Sequence, residues 1–265
     1  MKRAEVVARA IIGSWLLVAV VAQLWPPAAD LISLPGILAP PGSEAWLGRD
    51  DLGRSVLARL AAGAGISLEV ALVVVGVTAL FGTALGLVAG WCGGVVDVLL
   101  LRLTEIFLAF PGILLAIALA GVLGPGISNV MIALCVVGWV GFARLARAQT
   151  LTVKQRDHVQ VARALGVAPP RIVLRHVLPL IAGPLIVEAS FVCAAVIVAE
   201  AGLSFLGLGV QAPTPSWGSM IRDGARYLLV APHLVLMPGL ALASLVVAIN
   251  LLGDALRDRL DPRRP

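Results

Sequence analysis

The chain has 265 residues, is 60% hydrophobic before its 28 glycines are counted, and carries only 13% charged residues, where soluble domains average about 45–50% apolar and about 25% charged. A water-soluble enzyme of this size is excluded because its surface needs more charge, and the dispersed prolines and glycines form no repeat, which excludes a low-complexity chain. The net charge of +5 does not point to nucleic acid, because in a lipid-solvated chain the position of the positive charges sets orientation.

A helix crossing a hydrocarbon core of roughly 30 Å needs about 20 apolar residues. The charge-free runs predict an all-α integral membrane protein with six transmembrane helices at about 10–25, 69–91, 105–123, 127–143, 183–203 and 233–253. The first run follows Lys2 and Arg3, as a signal peptide would, but Trp25-Pro26-Pro27 comes next and no small-x-small cleavage site does. The run from Ile106 to Ala143 has 38 residues, which at about 1.5 Å each would be roughly 57 Å of helix. It is therefore expected to fold back at the breaker cluster Gly124-Pro125-Gly126. Trp25, Trp91 and Trp139 are placed at span ends, where indole prefers the headgroup boundary, and Trp217 is expected to anchor the 204–218 loop there.

Six spans put both termini on one side, which then holds fifteen of the twenty Lys and Arg residues, against Arg49, Arg54, Arg59, Arg222 and Arg226 opposite. By the positive-inside rule both termini are cytoplasmic, as expected of a multi-pass cell-membrane protein in contact with lipid. Asp97, Arg102 and Glu105 then fall at a cytoplasmic boundary and read as anchors, Arg102 and Glu105 being i, i+3 partners.

Three connecting segments remain, at 26–68 and 204–232 outside and 144–182 inside. The inner one holds seven of the fifteen charges. Within it, Lys154 to Leu165 reads as a short helix, with Val159, Ala162 and Leu165 at i, i+3, i+6 and with Gly166 and Pro169-Pro170 as stops. Two readings stay open for this helix, insertion into a groove on another protein or an interfacial helix on lipid headgroups.

In the fifth span, Glu188 either faces a wet cavity, where it touches solute, or sits shallow enough to hydrate. Glu200, near the outer end, reads as a brace for the glycine-rich bend that follows. Cys92, Cys135 and Cys193 have no paired spacing and read as small buried side chains. His158, His176 and His233 are scattered, so no metal site is expected. The only lysines, Lys2 and Lys154, are not preceded by glycine, so the chain has no P-loop; no H-E-x-x-H or nucleophile elbow occurs either. A non-catalytic chain that binds no cofactor is expected.

Gln160-Val161-Ala162, three residues, Gly166, nine residues and His176-Val177-Leu178-Pro179 resembles the EAA loop of importer-type ABC transporter permeases, E-A-A-x3-G-x9-I-x-L-P. Gln160, Val161 and His176 depart from it, and the Arg-His-Val-Leu-Pro form resembles the peptide and nickel branch. Leu47-Gly48-Arg49-Asp50-Asp51-Leu52-Gly53-Arg54, Gly202 to Gln211 with Pro213-Thr214-Pro215-Ser216-Trp217-Gly218, and Asn250-Leu251-Leu252-Gly253-Asp254 with Asp261-Pro262-Arg263 are similar to segments of the second permease subunit of dipeptide, oligopeptide and nickel importers.

The resemblance implies the type I ABC importer permease fold, with a segment 1–65 carrying the first span and a permease domain at 66–265. It implies a homologous partner permease, two ATPase subunits that bind ATP and Mg, and an extracytoplasmic solute-binding protein. It also implies an ATPase-coupling role for Gln160, Val161, Ala162, Arg163, Ala164, Gly166, His176, Leu178 and Pro179. An outer gate or binding-protein contact is implied for Glu200, Ser204, Phe205, Gly207, Gly209, Gln211, Pro213, Pro215, Ser216, Trp217 and Gly218. Dipeptides or oligopeptides are the implied cargo, with nickel, metal chelates or another small solute as the alternative. An ion-coupled secondary transporter is the runner-up, but the first three spans do not resemble the last three as its inverted repeats would.

The charge split predicts that cysteines placed near Lys154 and Arg263 are shielded from impermeant maleimide in intact cells, while those near Asp50 and Ser216 react. Labelling at position 154 from outside would overturn the orientation.

Overall fold

The computed structural model describes residues 2–43 and 45–260. The Asp261-Pro262-Arg263 match and the charges of Arg263 and Arg264 lie outside the described residues, as do the side chains of Lys2 and Arg3. Ten α-helices occur among the described residues: α1 Lys2–Leu24, α2 Val56–Cys92, α3 Gly94–Leu108, α4 Gly112–Leu123, α5 Ile127–Val153, α6 Asp157–Ala164, α7 Pro169–Ile172, α8 Leu178–Phe205, α9 Trp217–Ala225 and α10 His233–Leu260. A single π turn, Val173–Val177, joins α7 to α8.

Five stretches are long and apolar enough to cross a bilayer: α1, α2, α5, Pro169–Phe205 and α10. The expected span at 105–123 is not one helix. It is a pair, α3 and α4, bent by 81°. The bend falls at Ala109-Phe110-Pro111, because Pro111 has no amide hydrogen for an interior turn and disfavours helical geometry at Phe110. Helix α3 also starts at Gly94, earlier than the apolar run. The break at Gly124-Pro125-Gly126 occurs where expected, between Leu123 and Ile127.

Several boundaries differ for a common reason: helices continue past the membrane-length apolar run. Helix α2 begins at Val56, with Ser55 accepting from Ala58 N at 3.4 Å as its N-cap, so the 65/66 division falls inside it. Helices α5 and α8 extend inward on both sides, so the inner connection at 144–182 is largely helical.

Helices α2 and α5 share the longest packed face. Gly82, Gly86 and Gly90 recur every four residues on α2, and a β-carbon on them would stand 2.4 Å from Trp139 O, 2.3 Å from Ala143 O and 2.9 Å from Arg147 O. The backbones meet there without intervening side chains, the small-residue packing that association in lipid favours. Trp139 sits beside this seam and is 4% exposed, edge-on to Phe81 at 5.8 Å and Phe107 at 5.4 Å. Its expected place at the headgroup boundary is thus corrected to the core, whereas Trp25 is exposed. Cys92, expected buried, is exposed at the end of α2.

Helix α1 leans on α10, where Trp15 Nε1 donates to Ser244 Oγ at 3.0 Å. Arg259 reaches Glu5 at 2.7 Å, which puts the start of α1 and the end of α10 on the same side.

Gly86→Leu should therefore lower the stability of the purified protein by about 2 kcal/mol or more, read as a lower melting temperature in detergent. Gly76→Ala, where a β-carbon meets nothing within 4 Å, should be neutral or stabilising.

Candidate functional site

Helix α6 sits where α5 ends and the path into α8 begins. Its Val159 and Ala162 are buried against the chain's own Ile172, Val177 and Ile181. Ala162, one of the residues in the implied coupling set, faces the chain's own core. Leu165, expected on the same face, is 77% exposed because α6 ends at Ala164 and the chain turns away. Val161, Ala164 and Leu165 are exposed apolar residues on the outward face, beside the exposed polar Asp157, His158, Gln160 and Arg163. Gly166 has φ +75°, a left-handed conformation that side chains resist.

Gln160 has a local task. Its Nε2 donates to the Lys154 carbonyl at 2.8 Å, satisfying an orphan acceptor at the end of α5, which the usual acid could not do when ionised. Lys154 in turn donates to Trp91 O, and its ammonium lies 5.6 Å from the centre of the Trp91 ring. Arg163 of α6 stacks over the same ring at 5.4 Å. Helix α6 is thereby fastened to the inner end of α2. Asp97 at the start of α3 receives both Arg147 Nε and Arg147 Nη2, the latter at 2.6 Å, a bidentate pair that ties α3 to α5. None of Trp91, Asp97 and Arg147 was among the expected site residues, since the i, i+3 rule points to Arg102 and Glu105, which do pair, at 3.0 Å. Their separation in sequence left no local signal.

His176 lies in the π turn, with Leu178 and Pro179 at the start of α8. Its ring is 6.1 Å from that of His158, so the fold brings two of the scattered histidines together.

At the outer side, Glu200 is 1% exposed and accepts from Ser204 Oγ at 2.8 Å and Ser67 Oγ at 3.2 Å. Ser204 Oγ also accepts from Val210 N at 3.3 Å, closing the bend; Gly209 fits because a β-carbon would stand 1.9 Å from that hydroxyl. Gly207 has φ +86°, and Gln211 Nε2 donates to Gly207 O and Gly209 O. Ser216 and Ser219 form a capping box on α9, and a β-carbon on Gly218 would reach Ala201 O at 2.2 Å.

Trp217, expected as a headgroup anchor, is 0% exposed: its indole donates to Leu60 O at 3.0 Å and its ring meets Trp15 edge-on at 4.9 Å. Gly63 makes room for it. Of the expected outer-contact set, Phe205, Gln211 and Pro213 are exposed and Gly207 is half-buried, while Glu200, Ser204, Gly209, Pro215, Ser216, Trp217 and Gly218 are buried. Asp50 and Ser216 are buried too, so surface labels for the outer side belong at Trp46 and Gln211, which are exposed.

Asp50 caps its own turn, accepting from Leu52 N and Arg54 N, and pairs with Arg54 Nε at 2.7 Å and Arg59 Nε at 3.4 Å. This buried charge knot anchors the outer end of α2. It was legible only as part of the Leu47 to Arg54 resemblance.

Glu188 projects from α8 into a cavity of about 570 Å³ between α5, α8 and α10, lined also by Leu145, Gln149, Phe191 and Arg257. Glu188 thus faces a cavity that also leaves room for water around its carboxylate.

Residues 82–264 match the family described as the binding-protein-dependent transport system inner membrane component. The chain is 40% identical over 254 residues to the dipeptide transport system permease protein DppC of Alkalihalophilus pseudofirmus, covering 96% of this chain and 84% of the relative. It is 42% identical over 223 residues to the glutathione transport system permease proteins GsiD of Pectobacterium atrosepticum and Escherichia coli, covering 84% of this chain and 74% of theirs. The fold is similar to that in a solved structure of the MetNI methionine ABC transporter in an inward-facing conformation, with a TM-score of 0.61 at 19% identity over 77% of this chain and 97% of that one. A bundle of apolar helices with a short inner helix on their connecting segment is the architecture of a multi-pass transport permease. The chain belongs to the binding-protein-dependent transport system inner membrane component family, the permeases of ABC importers.

Trp217→Phe keeps the ring contacts and removes the hydrogen bond to Leu60 O. It should cost about 1–2 kcal/mol, seen as a lower melting temperature of the detergent-solubilised protein; an unchanged melt would mean that the buried indole N–H contributes nothing net.

Proposed function

We propose that the chain is one of two homologous permeases in an ATP-driven, binding-protein-dependent importer of short peptides in the plasma membrane. The observation that carries this reading is the 40% identity to a dipeptide permease over 96% of the chain. The glutathione permeases that it also resembles are named for a short peptide too. Both termini and the α5–α8 connection lie in the cytoplasm on this reading, supported by the fifteen-to-five division of Lys and Arg and by the Glu5–Arg259 contact between the two ends. ATP and Mg bind to two separate ATPase subunits, and an extracytoplasmic binding protein delivers the cargo.

Helix α6 couples ATP hydrolysis to the spans by seating Val161, Ala164 and Leu165 in a cleft on one ATPase. Apolar side chains exposed on the cytoplasmic side support this role over an interfacial one, because the same helix holds its basic Arg163 on Trp91 rather than on headgroups. His176, Leu178 and Pro179 carry the movement into α8. Outside, Phe205, Gln211 and Pro213 meet the binding protein, and the buried residues from Glu200 to Gly218 hold that loop in shape.

The reading is tested with the complete complex in proteoliposomes: radiolabelled dialanine should accumulate only with ATP inside and loaded binding protein outside, and no uptake of any short peptide would sink it. Within that assay, Gly166→Trp, which forces a bulky side chain into a left-handed turn, should abolish binding-protein-stimulated ATP hydrolysis. Gln160→Ala loses one exposed hydrogen bond worth about 1 kcal/mol and should keep most of that activity. Wild-type stimulation and uptake in Gly166→Trp would place the coupling elsewhere.

A further inference from the structure

The cavity around Glu188 has a second member along the same helices. Between α4, α5, α8 and α10 lies a larger cavity of about 890 Å³ whose lining, including Leu134, Val192, Val196 and Val246, is almost wholly apolar. Phe191 lines both cavities. The path along α5, α8 and α10 is therefore apolar in its outer part and becomes polar three residues below Phe191, one turn of α8, where Glu188 projects.

Three observations set the inner cavity apart from the rest of the spans. Glu188 makes no hydrogen bond and no ion pair among the described residues, although an acid within a span is held there only against a cost of several kcal/mol and so marks a functional position. Glu200, on the same helix, has its partners. The second observation is the close wall opposite: a β-carbon on Gly141 would stand 2.8 Å from Glu188 Oε1, so a side chain there would make the carboxylate shift from its present place. The third is the opposite charge. Arg257 of α10 lines the same cavity, also without an ion partner among the described residues, and Gln149 adds an amide that both donates and accepts. An acid and a base that share a cavity and do not pair with each other form a dipole open to a ligand of the reverse sense. The volume lies within the roughly 300–1,000 Å³ typical of small-molecule sites.

We propose that this cavity is a transient binding site for the zwitterionic backbone of a short peptide on its way through the membrane, Glu188 receiving the terminal ammonium and Arg257 the terminal carboxylate. The site rests on the short-peptide reading of the cargo and adds to it a recognition step inside the permease, after release from the binding protein. Side chains of the cargo are not read, because the rest of the lining, Leu145, Pro184, Val187, Phe191 and Leu260, offers no polar group. The apolar section above has no charged group and one amide, Asn250, so the first charged groups the cargo meets below Phe191 are these two. Binding here must be weak enough for the cargo to leave, as in any conduit.

The test uses the complete complex in proteoliposomes with dialanine as the probe, comparing wild type, Glu188→Gln, Glu188→Asp and Arg257→Gln. Dialanine uptake and binding-protein-stimulated ATP hydrolysis are measured on the same vesicles. Glu188→Gln, which keeps shape and removes charge, is expected to lower dialanine imported per ATP hydrolysed about tenfold, with ATPase stimulation unchanged, and Glu188→Asp to recover most of the loss. Arg257→Gln, at an exposed position, should lower the same ratio and decides the matter if Glu188→Gln does not assemble. An unaltered ratio in the charge-removing variants overturns the site. Uptake and ATPase falling together, with the ratio unchanged, assigns Glu188 to structure and also overturns it. Failure of the wild type to import dialanine or any other short peptide strikes the cargo reading itself, and is told apart because it appears before any substitution is made.

Discussion

The backbone contact between α2 and α5 is the constraint on which the rest of the bundle depends. Three glycines one turn apart let the two helices approach to a distance at which any side chain would collide with a carbonyl of the partner. With no hydrophobic driving force between helices in lipid, close van der Waals contact of this sort has to supply much of the association. The consequence is a stiff post. The end where α2 begins is locked by the Asp50–Arg54–Arg59 knot and by Trp217 lying on Gly63. The end where α2 stops is locked by Lys154 on the Trp91 carbonyl and by Asp97 on Arg147.

The two acids of α8 illustrate how the membrane sorts polar groups. Glu200 is nearly inaccessible, yet two serine hydroxyls donate to it, and one of those hydroxyls also receives the Val210 amide. A buried polar network with its members satisfied fixes geometry, and here it fixes the departure of the chain from α8 into the outer loop. Glu188 has no such partners and sits against bare backbone in a cavity. Twelve residues apart on one helix, two carboxylates of the same chemistry thus have different surroundings, one holding the scaffold and one facing a cavity.

What the sequence disclosed follows the same division. Apolar length located the long helices, and the Gly124-Pro125-Gly126 break fell where the length limit demanded one, because lipid thickness acts on local composition. Pro111 was equally visible but was passed over, since a count of charge-free residues is blind to a lone proline inside an apolar run. Trp139 and Trp217 were misplaced because indole satisfies two rules, a wet boundary or a buried ring with a partner for its N–H, and only the packing tells which applies. Gln160 was legible as a departure from a family pattern, but its hydrogen bond to Lys154 O depends on how α5 ends. Asp97–Arg147 and Arg163–Trp91 join residues far apart in the chain, and no spacing rule reaches that distance. The pattern match gave the outer segment its membership, yet not the fact that most of it is buried.

On the coupling reading, the geometry of α6 settles how a push from an ATPase would divide. The helix is bound to the bundle at two places with different stiffness. Arg163 holds it to Trp91 and so to α2, whose seam with α5 leaves no free volume for sliding. Val159 and Ala162 press on Ile172, Val177 and Ile181, so the other route runs through the π turn into α8. A π turn departs from the regular i to i−4 ladder and is the softer link. Displacement of α6 would therefore rotate α8 against a fixed α2–α5 pair rather than move the bundle as one body. Helix α8 lines both cavities, so the element that yields is also the one that carries Phe191 and Glu188. On the same reading, the stiffness of the glycine seam and the compliance of the π turn are two halves of one device: motion applied at α6 would reach the cavity beside Glu188 because the neighbouring post cannot absorb it.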